Sequence, residues 1–208
     1  MKHGHMVWFI ASCALIIFSL AIPQHCAGQY SRQYNTQYNK QWAQEMQNFK
    51  AQQEQKSKNY LAQYDKENGE FMSTVGMMQK EEKIMAFRNF LSGQYDKNCA
   101  FRKEMYDEYR AFLQKQLDRN PNMQPFMKEQ MLSRIDQNYK EATEFYAGKI
   151  KEDMEFLDQM LKDKSIDGQE LNTKLKEFFE SQGAAGRAFA EGQQQQYRNR
   201  QMPTGRGQ

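Results

Sequence analysis

The 208 residues hold three histidines, His3, His5 and His25, and three cysteines, Cys13, Cys26 and Cys99. All but Cys99 fall in the first 28 positions, which read as a cleavable secretory signal: Lys2 supplies a basic start, Val7 to Ile22 is a mostly apolar run, and Cys26, Ala27 and Gly28 form a small-residue cleavage region. Removal of residues 1–28 leaves no histidine. A Ser-His or Cys-His dyad then cannot form, nor can a histidine-containing metal site. Paired carboxylates such as Glu104 and Glu108, one helical turn apart, read as a solvated face on so charged a chain. No catalytic residue, metal ligand or cofactor site is therefore assigned, and the chain is expected not to be an enzyme.

Three other groups carry potential chemistry. Asp163, Ser165, Asp167 and Gly168 match the first, third, fifth and sixth positions of a calcium-binding loop, but Glu170 and Lys174 stand where an aliphatic residue and a bidentate glutamate are needed. A lysine there opposes the ion, so the stretch reads as a capped turn before a helix. Cys99 is left as an odd cysteine in a chain expected to be secreted: either a buried free thiol or the intermolecular disulfide of a homodimer. Tyr30, Tyr34, Tyr38 and Trp42 recur every four residues in a Gln-Tyr phrase. In a helix they form an aromatic ladder, continued by Met46 and Phe49, that either packs on a neighbour or serves as an association or cross-linking segment.

The elements that must position these residues are helical. β-branched residues are scarce beyond the signal, with Val75 the only valine after position 28, and Gln, Glu, Lys, Met and Ala dominate. The strongest stripe runs from Pro125 to Lys164, with Met131, Ile135, Tyr139, Ala142, Tyr146, Ile150, Met154, Leu157 and Leu161 in steps of four and three. A preceding stretch from Met77 to Asp118 carries Ile84, Phe87, Leu91, Phe101, Met105, Tyr109, Phe112 and Leu117, with Gly93 marking a kink, a closely packed crossing or a division into two helices. Pro121 and Pro125 punctuate the two, which predicts a back-to-back antiparallel hairpin. Asp136 with Lys140, and Asp158 with Lys162, are expected to lace its outer face.

Upstream, a helix from Lys40 to about Glu67 breaks between Gly69 and Gly76; downstream, a short amphipathic helix with Leu171, Leu175, Phe178 and Phe179 dissolves at Gly183, Gly186 and Gly192. The expected architecture is all-α: an elongated antiparallel bundle of three long helices and one short one. Its parts are the signal (1–28), a Gln/Tyr segment (29–39), the bundle (40–182) and a disordered Gln/Gly/Arg tail (183–208).

Function is bounded more loosely. With Lys2 gone, 28 basic residues face 26 acidic ones, which gives no reason to expect nucleic acid. The first expectation is a secreted structural or assembly protein of an extracellular matrix, coat or gland secretion, partnered by itself or other matrix proteins. It rests on the Gln-Tyr ladder, Cys99 and the missing catalytic side chains. The second is a carrier whose Met- and Phe-rich faces take lipid or another apolar ligand.

Overall fold

The computed structural model describes residues 34–120 and 123–201. Four helices follow one another: α1 (Tyr34–Val75), α2 (Lys80–Asp118), α3 (Pro125–Lys162) and α4 (Gly168–Gln201), with no strand among the described residues. Two of the helix starts have a local cause. Pro125 opens α3 at the position where its missing N–H costs nothing, after an extended Gln124. Before α4, the Asp167 carboxylate accepts the backbone N–H groups of Gln169 and Glu170, both at 2.8 Å. Asp163 similarly accepts from the Ser165 backbone N–H at 2.9 Å and its hydroxyl at 2.6 Å. The calcium-like stretch is thus a doubly braced turn and helix cap.

Cross-helix contacts fix the packing order. Phe49 stacks on Phe112 with ring centroids 4.3 Å apart, and Phe71 on Phe90 at 4.1 Å, so α1 lies antiparallel to α2. Arg110 reaches Asp136, Tyr106 stacks on Tyr139, and Arg88 pairs with Asp158, which sets α3 antiparallel to α2. Phe156 meets Phe178 at 3.9 Å and Phe145 meets Phe189 at 4.0 Å, so α4 runs back along α3. The Phe87–Phe179 contact brings α4 onto α2 as well.

Two apolar cores sit near opposite ends. The larger gathers Val75, Ile84, Phe87, Leu91, Leu157, Met160, Ile166, Leu171, Leu175 and Phe179, beside the 76–79 and 163–167 turns. The smaller joins Leu113, Leu117 and Ile135 near the link between α2 and α3.

Three expectations need correction. The final helix is not short: α4 continues through Gly183, Gly186 and Gly192 to Gln201, so the expected tail is helical as far as that residue, and 202–208 lie outside the described residues. Each interior glycine costs up to about 1 kcal/mol against alanine, a local penalty that tertiary packing overrides. Gly183 and Gly186 are buried, and Gln182, Phe189 and Gln193 each bond or stack on α3. Secondly, α1 passes through Gly69 to Val75 and α2 passes through Gly93 without a break. Thirdly, Asp136 and Asp158 do not pair along their own helix. Arg110 and Tyr106 take Asp136, and Arg88 takes Asp158, all from α2. These aspartates join helices.

Candidate functional site: a polar cavity in the bundle

The stripe that α2 buries reads Ile84, Phe87, Leu91, Gln94, Asn98, Arg102 and Met105. Its spacing is that of one helix face throughout, but its middle is polar. The facing residues on α3 are Tyr146, Ile150 and Asp153, with Phe145 and Lys149 beside them, and α4 adds Gln182 and Gly186. Between these surfaces lies a cavity of about 60 Å³, partly open to solvent, with Tyr95 also on its wall.

Asp153 is 4% exposed, and its Oδ1 has no hydrogen-bond partner among the described residues. Burial removes the water that would stabilise its charge, and the neighbouring Glu152 adds repulsion, while Lys149 offsets part of this; the carboxyl is pushed up to about 7. Lys149 does not neutralise it directly, because its ammonium bonds Glu152 at 2.7 Å. Two amides share the isolation: Asn98 Nδ2 and Gln182 Oε1 are buried without partners among the described residues, although Gln182 Nε2 donates to Glu152 at 3.0 Å. An unpaired buried polar atom costs on the order of 1–3 kcal/mol. Three such atoms belong to residues that line one cavity, and one of them is a carboxylate oxygen.

The aromatic walls already face cations from outside the cavity's acceptors. The Arg102 guanidinium lies 4.4 Å from the Tyr146 ring centre, and the Lys149 ammonium 5.7 Å from that of Phe145. Tyr95 is pushed up to about 12 by burial first, and then by its hydrogen bond with Cys99.

On the other side of α2, the seam with α1 is also polar; its charged groups are paired between the helices, while Gln53 Oε1 and Ser57 Oγ are buried without partners among the described residues. Lys56 bridges Glu104 at 2.7 Å and Glu108 at 2.5 Å, and Gln53 donates to Glu108 at 2.6 Å. Glu104 and Glu108 therefore clamp α1 as well as facing water. Glu67 receives Lys97 at 2.7 Å and Gln94 at 2.6 Å; hydrogen bonds from Gln63, Lys97 and Gln94 hold it down to about 2. Gln94 lines the cavity and braces α1 at the same time.

Of the residues singled out from sequence, Cys99 is a half-buried free thiol on α2, next to the cavity wall through Tyr95. Trp42 is half-buried on α1. Tyr34 and Tyr38 belong to the same helix, with side chains outside the description, and Tyr30 lies outside the described residues. The continuation of the ladder packs inward: Met46 is buried, and Phe49 stacks between α2 aromatics. Of these, Cys99, Trp42, Met46 and Phe49 do not line the cavity. Asp153, Asn98 and Gln182 escaped the sequence reading, yet a signal existed. Between Leu91 and Phe101 the buried line of α2 passes through Gln94 and Asn98, a polar interruption visible in the sequence.

Among the described residues, no group of three or more His, Cys, Asp or Glu is placed to hold a metal ion, and no helix is long and apolar enough to cross a membrane. The fold and the cavity together define an all-α antiparallel bundle with a polar pocket in its middle. No protein-family model, curated protein or solved structure matches this chain.

Proposed function

We propose that the chain is a secreted, non-catalytic carrier that takes a small, largely apolar ligand into the cavity between α2, α3 and α4. The observation that carries this is the coincidence of aromatic walls with three unpaired buried polar atoms. Ligand sites combine apolar linings with a few convergent polar groups in this way. Export is supported by the basic and apolar N-terminal pattern. The test is methyl NMR of the full chain during titration with benzyl alcohol. Saturable shifts are expected at Leu91 and Ile150, which line the cavity, and not at Leu113 and Ile135 of the remote core. Unmoved or uniformly moved methyls overturn the reading.

A second reading, self-assembly in a matrix or secretion, draws on the half-exposed free thiol of Cys99. A dimer on non-reducing gels that collapses with reductant, and is absent in Cys99→Ser, supports it; a monomer under both conditions counts against covalent assembly.

A further inference from the structure

We propose that the cavity binds an organic cation, a primary or secondary ammonium on an aromatic or aliphatic body, with Asp153 as its counter-ion. The inference rests on the carrier reading and assigns the chemistry of its ligand. The unpaired atoms define what a complementary group must offer. Asp153 Oδ1 and Gln182 Oε1 are acceptors and Asn98 Nδ2 is a donor, so the missing partner brings two donors and at most one acceptor. An ammonium supplies the donors in the required excess. Tyr95, Phe145 and Tyr146 line the cavity, aromatic rings attract such a charge, and Tyr146 and Phe145 already draw Arg102 and Lys149.

Other ligand classes fit less well. A carboxylate or phosphate would meet the Asp153 carboxylate across a small space. A calcium or magnesium ion needs about six oxygen ligands, and Asp153 is the one carboxylate among the residues that line the cavity. Size narrows the class further. At about 60 Å³ the cavity is roughly twice the share of liquid volume taken by one water, and well under the about 150 Å³ that encloses a benzene ring. It therefore takes the ammonium and its first carbons, while the body lies in the open mouth.

The charged and titratable groups around Asp153 set the pH behaviour. From α2 come Tyr95 and, above Tyr146, Arg102; from α3 come Tyr146, Lys149 and Glu152; α4 presents the neutral Gln182. Lys149 is bound to Glu152, which leaves Asp153 as the carboxyl that gains most from an incoming cation. Because this carboxyl titrates at about 7, protons compete with the cation, and affinity falls about tenfold for each pH unit below that point.

Calorimetry of the full chain with benzylamine, benzyl alcohol and benzoate tests this, near pH 8 and again near pH 6, where benzylamine remains protonated. Benzylamine is expected to bind at least about tenfold more tightly than benzyl alcohol at the higher pH, to lose that advantage at the lower one, and benzoate is expected not to bind. Asp153→Asn should reduce benzylamine to the level at which the same variant binds benzyl alcohol, with far-UV circular dichroism and a cooperative urea transition reporting that the variant is folded. The wild-type pH dependence decides the matter if that variant is unstable. Equal binding of amine and alcohol with no pH dependence removes the cation assignment and leaves the carrier reading intact. Absence of binding by all three, with the Leu91 and Ile150 methyls unmoved, removes both.

Discussion

Glu67 and Asp153 are acidic side chains on inward-facing helix positions, and the two surfaces of α2 treat them in opposite ways. On the α1 side, Glu67 keeps its charge at the seam by collecting Lys97, Gln94 and Gln63, and its carboxyl is held down to about 2. On the α3 and α4 side, Asp153 is more deeply buried, has an unpartnered oxygen, and is pushed up to about 7. A seam whose carboxylates are paired with cations and amides holds helices together and specifies their register, even with Gln53 Oε1 and Ser57 Oγ left without partners among the described residues. A buried carboxyl with an unpartnered oxygen destabilises the empty bundle, and a ligand that supplies the partner recovers that cost.

The largest effect is expected where neither situation applies. Leu157 is fully buried in the main core, one turn beyond Asp153 on the same helix. Leu157→Ala should lose about 2–5 kcal/mol in urea unfolding, from lost burial and the void left behind, with little dependence on pH. Asp153→Asn should do the reverse. Because its carboxyl titrates higher in the folded chain than its ordinary 3.8, the folded state binds the extra proton, so stability falls as pH rises from about 4 to about 7 and stays low above. The asparagine variant should therefore be more stable than the parent near pH 8, by a few kcal/mol and at most about 4, and near parity below pH 4. Unfolding curves at the two pH values check this; a constant difference would mean that Asp153 is charged and satisfied throughout.

How far the sequence revealed this contrast depends on what each residue needed. The helix ends at Asp118 and Lys162, and the starts at Pro125 and Gly168, follow from proline geometry and the Asp167 cap, which are local and visible in sequence. The extent of α4 was hidden, because its glycines argue locally for an end, while Phe145, Glu141 and Glu152 on another helix hold it in place. Asp136 and Asp158 were misread for the same reason: a lysine four residues on is visible in sequence, and an arginine on the neighbouring helix is not. The cavity was least legible. Three helices must be superposed before Asn98, Asp153 and Gln182 meet, and only the polar interruption of the α2 stripe hinted at it.

The side whose carboxylates are paired can be tested with the opposite sign. Glu67 titrates below its ordinary range in the folded chain, so its contribution is present above about pH 4.5 and is lost as pH falls towards 2. Its side chain is 21% exposed and Lys97 is more exposed still, so solvent screening limits the effect to about 1 kcal/mol. Glu67→Gln should cost about that much near neutral pH and nothing near pH 2. Paired with Asp153→Asn, it yields two stability differences that move oppositely with pH. A parallel response in the two variants would break the distinction between seam and cavity.

The smallest expected effect separates both regions from the helices that carry them. Gly69 of α1 and Gly148 of α3 are exposed, and a methyl group added at either meets nothing within 4 Å. Neither position requires glycine, so alanine should gain about 0.5–1 kcal/mol at each by restricting the unfolded chain and favouring the helix. The two sit on helices that flank α2, Gly69 within two residues of Glu67 and Gly148 between Tyr146 and Asp153 in sequence. Their gains should add in the double variant, with a shifted urea midpoint and an unchanged slope. Their consequences for the ligand should differ from those of Asp153→Asn: benzylamine affinity should stay at the parental value, because stiffening the helices alters neither the acceptors nor the aromatic wall. If Gly148→Ala alone weakens the amine, then the α3 backbone next to the cavity belongs to the binding site, and the seam at Gly69 does not.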